Sequence, residues 1–338
     1  MTDPGWPPPT APEGEWLQTA PSTPQWYVPP APEPVERDYP WFWRQPTVAP
    51  WRPILAVVLG VVGFFVVSLV FSGIGMAVDA ALNPGGFQAV VTELLSGEVS
   101  RVMFVANSVS LGFLIPLALL LQLLSRQRPG FLSSVVGRIR WGWMWTCFAV
   151  AMTATLGYLV FGVLVDGWDS LGLAVRPGWA WLLVAILVVT PFQSAGEEYL
   201  VRGILNRAVA ALLPWRVPAM VLGAVVSSWV FMLLHGAGDP WLQIMYFTMG
   251  LMFCYLTWRT GGLEAAVALH VANNLVGLGL VPFQEWGGIF DRQAGVASPV
   301  ALLQLVFLGA AVVAIEWLAR RRGVACTGVP VERRRAVR

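Results

Sequence analysis

The sequence predicts an all-α protein: a polytopic membrane helix bundle of about eight transmembrane helices behind a disordered, proline-rich N-terminal tail. Three observations carry this. Hydrophobic residues make up 57% of the 338 and charged residues only 12%, against roughly 25% charged in a soluble chain. Long apolar runs recur from residue 53 to residue 319. Fourteen of the 26 prolines fall in the first 50 residues, where too little apolar surface is available to offset the entropy of ordering.

The expected organisation is therefore a cytoplasmic tail over 1–50, a membrane domain over 51–322 and an arginine-rich tail over 323–338. The first 50 residues hold no basic stretch followed by an apolar core, so they do not read as a secretory signal. Trp6, Trp16 and Trp26 recur in this tail, but the sequence names no partner for it. Trp41, Trp43 and Trp51 precede the first apolar run and suit an interfacial belt.

The apolar runs give spans at 53–81, 102–124, 141–165, 178–195, 217–235, 240–258, 262–282 and 299–319. The fourth has an open end, because helix-compatible sequence continues to Leu213. Charges alternate between the loops. Arg126, Arg128, Arg138 and Arg140 follow the second span, Arg202, Arg207 and Arg216 the fourth, Arg259 the sixth and Arg320–Arg322 the eighth. The other loops carry mainly Asp and Glu. By the positive-inside rule this places a multi-pass protein in the cell membrane with both termini in the cytoplasm. A net charge of +2 gives no reason to expect nucleic acid as a partner. The lipid bilayer is the expected surrounding. The three cysteines, Cys147, Cys254 and Cys326, have neither metal-like nor disulfide-like spacing.

Several ionisable groups sit where lipid would penalise them by about 2.5–3.5 kcal/mol each. Residues 196–203 read GEEYLVRG, the fifth span ends WVFMLLH, and the seventh contains HVANN. Glu198 and Arg202 are four residues apart, acid first, the better order for a helical ion pair. Glu197 is turned about 100° from Glu198 and is the carboxylate less neutralised by Arg202. His270 and Asn274 share a helical face, and Phe231 lies one turn before His235. With about 1.5 Å of rise per residue, these groups can come within one or two turns of a common level. Glu264 and Arg259 read as interfacial, and Asn273 points off the His270 face.

The order EExxxR, FxxxH, HxxxN on separate spans, here Glu197-Glu198-Tyr-Leu-Val-Arg202, Phe231-Met-Leu-Leu-His235 and His270-Val-Ala-Asn-Asn274, resembles the CAAX protease and bacteriocin-processing (CPBP, or Abi) family of intramembrane endopeptidases. The resemblance covers a motif core at about 178–282. It implies that Glu197 and His235 activate the attacking water, that His270 and Asn274 stabilise the oxyanion, and that Glu198 and Arg202 are structural or substrate-facing. The partner implied is a membrane-associated peptide or protein substrate. Either no cofactor is used, or Zn²⁺ is held by Glu197, His235 and His270, a His₂Glu set with one open position. The zincin HExxH is absent.

Residue chemistry agrees with peptide hydrolysis. A buried carboxylate can serve as a base, and uncharged polar side chains can meet developing negative charge. Two rival readings are a non-catalytic scaffold or regulator acting through the tail, and a proton-coupled transporter using Glu and His as a relay. The second is disfavoured by the lack of a clear inverted repeat.

Overall fold

The computed structural model describes residues 35–287 and 292–331; the expected disorder over residues 1–34 falls outside them. Helix α1 (Trp51–Leu82) crosses first, and a short α2 (Gly86–Leu95) fills the following loop. The second span is split into α3 (Arg101–Gly112) and α4 (Leu114–Leu121). Pro116 lacks the N–H that would bond the Gly112 carbonyl, which accounts for the break. Ser100 caps α3 by accepting from the Met103 N–H at 3.1 Å.

Helix α5 (Trp141–Asp166) is followed by α6 (Trp179–Glu198), which runs without interruption through a π-helical stretch, Tyr199–Asn206, into α7 (Arg207–Ala211). This 33-residue rod, Trp179–Ala211, accounts for the open end of the fourth predicted span. Helices α8 (Arg216–Leu234), α9 (Pro240–Thr260), α10 (Glu264–Leu280) and α11 (Leu303–Arg321) complete the bundle. Asp239 starts α9 by accepting from the N–H groups of Trp241 and Leu242, with Pro240 at the first position and Gly261 in the left-handed region closing it.

Among the described residues, seven helical segments are long and apolar enough to cross a membrane. The sixth expected span, α9, is not one of them. It has the length, but Gln243, Tyr246, Tyr255 and Arg259 dilute its hydropathy. Outward faces are apolar, as lipid requires: Phe65, Leu69 and Val66 of α1 are all exposed. The innermost helix is α10, which packs on α5, α6 and α9. Residues 264–272 of α10 are all buried. Its alanines (Ala265, Ala266, Ala268, Ala272) allow this close approach from three sides.

Two expected boundaries need correction. The N-terminal tail does not extend to residue 50, because Tyr39, Phe42 and Trp43 are buried and pack with Phe131 and Leu132. Trp43 is therefore a core residue, not part of an interfacial belt; its indole donates to Gln122 Oε1 at 3.0 Å. These aromatics surround Arg207, which is fully buried, with its guanidinium 4.7 Å from the Tyr39 ring centroid. The C-terminal tail also begins later than 323. Strand β1 (Arg37–Asp38) pairs antiparallel with β2 (Thr327–Gly328), Arg37 opposite Gly328 and Asp38 opposite Thr327. The aromatic run YPWFW supplies the apolar area that a reading by proline content overlooks.

Candidate active site

The residues singled out in the sequence come from three elements. Glu197, Glu198 and Arg202 lie where α6 passes into the π-helical stretch, His235 at the end of α8, and His270 and Asn274 on α10. The widened π turn is a local departure from α geometry of a kind that often marks functional positions. Gly196 sets the helix against its neighbour: a β-carbon there would lie 1.9 Å from the Leu111 carbonyl oxygen of α3. Only glycine allows α3 and α6 this close, so the carboxylate pair begins at a fixed point.

Glu198 and Arg202 are fully buried and paired, Oε1 to Nη1 at 2.9 Å. Arg202 also donates through Nη2 to the Gly250 carbonyl at 3.3 Å, and its guanidinium lies over the rings of Phe231 and Phe253 at 4.3 and 5.0 Å. The same Oε1 of Glu198 meets Nδ1 of His270 at 2.9 Å. The His270 ring is stacked on Phe253, with centroids 5.1 Å apart. Glu198 thus links Arg202 to His270 and is held away from the cavity.

Glu197 faces the other way. Its Oε1 accepts from Gln193 Nε2 at 3.2 Å, and its Oε2 lies 4.0 Å from His270 Nε2. A carboxylate only accepts, so Nδ1 of His270 is the nitrogen that donates to Glu198, and in the neutral tautomer this leaves Nε2 as an acceptor. Two acceptors face each other at a separation too long for a direct hydrogen bond. A water about 2.8 Å from each would subtend roughly 90°, close to what its two hydrogens supply.

The same separation bears on zinc. At the usual ~2.0–2.1 Å from each atom, an ion spanning 4.0 Å would see them roughly 155° apart, far from the tetrahedral angle of roughly 109°. Among the described residues no three His, Cys, Asp or Glu side chains are arranged to hold a metal ion. The set Glu197, His235 and His270 does not fit zinc in this structure.

His235 lines the same cavity, of about 620 Å³, as Glu197, His270 and Asn274. Its Nδ1 donates to the Phe231 carbonyl at 2.7 Å, which leaves Nε2 of the neutral ring as an acceptor. Its ring stacks on Tyr246, centroids 4.0 Å apart. Asn274 donates from Nδ2 to Ser194 Oγ at 3.3 Å. Asn273, expected off this face, also lines the cavity, as do Arg292 and Gln304. Tyr246, Arg292 and Gln304 were not singled out in the sequence. Gln304 is a polar residue in an apolar run and could have been noticed; nothing local distinguishes Tyr246. Glu264, expected at the interface, is instead buried in a two-bonded ion pair with Arg140.

All three motifs fall within one sequence segment with known counterparts. Residues 177–276 match the Rce1-like family, described as type II CAAX prenyl endopeptidase Rce1-like. The match agrees with the resemblance carried by the motifs. The chain is also similar to the uncharacterized protein YyaK of Bacillus subtilis (strain 168), 35% identical over 101 residues. That alignment covers 28% of this chain and 32% of the relative, so the chain spans about a third of the relative's length. No solved structure matches. The Rce1-like segment runs from Pro177, two residues before α6, to Val276 in α10. It excludes Arg292 and Gln304.

Proposed function

We propose that the protein is an intramembrane endopeptidase that hydrolyses a peptide bond of a membrane-associated protein or peptide, using a water held between Glu197 and His270. The observation that carries the reading is the facing of Glu197 Oε2 and His270 Nε2 at 4.0 Å, in a cavity also lined by His235 and Asn274.

In the proposed mechanism Glu197 takes a proton from the water as its oxygen bonds to the scissile carbonyl carbon, and the carbonyl π pair moves to oxygen. Asn274 Nδ2 donates to the resulting oxyanion, a contact worth about 2.7–4 kcal/mol if lost. Collapse re-forms the carbonyl, breaks the C–N bond, and returns the proton from Glu197 to the departing amine. The products are a carboxylic acid and an amine.

The resemblance assigned the second water contact to His235. The geometry favours His270 for that role, with Glu198 behind it fixing the tautomer as a carboxylate does in a catalytic triad. His235 is then a second acceptor on the cavity wall, oriented by Phe231 and Tyr246. No step is routed through a metal. The basic loops support an orientation with both termini in the cytoplasm.

The deciding experiment uses the full chain in proteoliposomes with a library of membrane-anchored quenched-fluorescent peptides. Cleavage by the wild type and none by Glu197→Gln is expected. Cleavage that survives Glu197→Gln removes the assigned base and the reading with it.

A further inference from the structure

Gln304 stands on α11, outside the matched segment, yet it lines the cavity beside the asparagines of α10. Its Nε2 donates to Oδ1 of Asn273 at 2.6 Å. Asn273 Nδ2 donates to Oδ1 of Asn274 at 3.2 Å, and Asn274 Nδ2 donates to Ser194 Oγ at 3.3 Å. The chain has a direction. A carboxamide accepts at one end and donates at the other, so the end that Gln304 presents decides how each following amide is turned.

We propose that Gln304 is a positioning residue that sets, through Asn273, which end of the Asn274 amide is offered to the cavity. With its oxygen taken by Asn273, Asn274 gives one Nδ2 hydrogen to Ser194 and keeps the second for another acceptor. That second hydrogen is the oxyanion donor of the mechanism above, and the catalytic consequence of the inference rests on that reading. If the chain were reversed, Asn274 would turn its nitrogen to Asn273 and its oxygen to Ser194. The three amides come from two helices, so α11 contributes to a site whose recognisable motifs all lie elsewhere.

Gln304→Glu tests the direction with almost no change of shape. An ionised carboxylate only accepts, so Asn273 must present Nδ2 to it and Oδ1 to Asn274. On a quenched-fluorescent peptide cleaved by the wild type and not by Glu197→Gln, Gln304→Glu is expected to lower kcat about 100-fold, as loss of one oxyanion donor does, with KM unchanged. Gln304→Met removes the first donor without imposing the reverse direction and is expected to lose much less. Wild-type kcat in Gln304→Glu, or equal losses in the two variants, overturns the proposal.

A second measurement needs no substrate. In Asn274→Asp the new carboxylate can still accept from Asn273 and from the Ser194 hydroxyl. In the double variant Gln304→Glu/Asn274→Asp both neighbours of Asn273 only accept, and its oxygen must face one of them. Thermal unfolding of the full chain in detergent is expected to show a double-variant Tm lowered by more than the sum of the single shifts. Additive shifts overturn the directed chain. If the shifts are non-additive and the wild type cleaves no peptide, the endopeptidase reading fails while the positioning of Asn274 by Gln304 stands.

Discussion

His270 Nδ1 lies 2.9 Å from Oε1 of Glu198, while its Nε2 faces Glu197, the carboxylate one residue earlier in the chain. Adjacent acids on one helix thus meet opposite nitrogens of a single ring. Glu198 is fully buried and tied to Arg202; Glu197 opens onto the cavity. Two chemically identical side chains thus have different surroundings. Substituting either residue should have a different effect.

Glu198→Gln should leave the charge of Arg202 buried without its partner. Removing one member of a buried ion pair costs about 3–5 kcal/mol, so this variant should unfold well below the wild type in a detergent thermal melt. Glu197→Gln should melt close to the wild type, because the direct hydrogen bond of its carboxylate is from the Gln193 amide and an amide oxygen can accept it equally.

Gly196→Ala should fail to fold or assemble. Its β-carbon would fall 1.9 Å from the Leu111 carbonyl oxygen, so α3 and α6 would have to separate; overpacking of this kind costs about 1–3 kcal/mol or more. Gly277→Ala, where nothing lies within 4 Å of the added carbon, should be neutral. Monodispersity on size exclusion distinguishes the two.

Acid should loosen the ordered N-terminal segment. Burial pushes the Asp38 carboxyl up, but hydrogen bonds from Arg216 and Trp258 hold it below its usual range. A carboxylate whose pKa is lower folded than unfolded stabilises the fold above its unfolded value and loses that contribution as pH falls through the folded one. Proteolysis near residues 35–50 should therefore increase below about pH 4. Asp38→Asn should show the looser behaviour at neutral pH and a flatter pH dependence.

Chelators should not abolish cleavage. The 4.0 Å separation of Glu197 and His270 suits a hydrogen-bonded water and not a tetrahedral ion. Full and specific loss of peptide cleavage with a zinc chelator, restored by Zn²⁺ alone, would falsify the water-only mechanism.

Sidedness can be read from one thiol. Cys147 and Cys254 are buried and Cys326 is partly accessible. In sealed right-side-out vesicles a membrane-impermeant maleimide should not label Cys326 until the vesicles are opened, if the C-terminal end is cytoplasmic.

Much of the bundle was legible in the sequence because lipid imposes simple rules on length and polarity. Helical segments stand at all eight expected positions, seven of them long and apolar enough to cross a membrane among the described residues, and the long fourth rod and the Glu198–Arg202 pair follow from apolar runs and helical spacing. The candidate site residues stand out in the sequence because charge is costly in lipid, and both histidines line one cavity. What spacing could not give was the facing of rings and amides across helices. The family resemblance paired Glu197 with His235, whereas His270 Nε2 lies 4.0 Å from Glu197; the order of elements does not fix their rotation about their own axes. Asn273 was placed off the face for the same reason: a helical wheel knows nothing of Gln304 reaching in from α11. The ordered YPWFW segment was hidden by the proline content around it.

The pairing of Arg37–Asp38 with Thr327–Gly328 has a consequence for biosynthesis. A chain emerging from the ribosome N-terminus first must make and insert every helix before the partner of its earliest ordered strand exists. The pairing therefore forms only once residue 328 has been made, and a nascent chain stalled before residue 327 carries the aromatics around Arg207 without the strand that pairs just ahead of them.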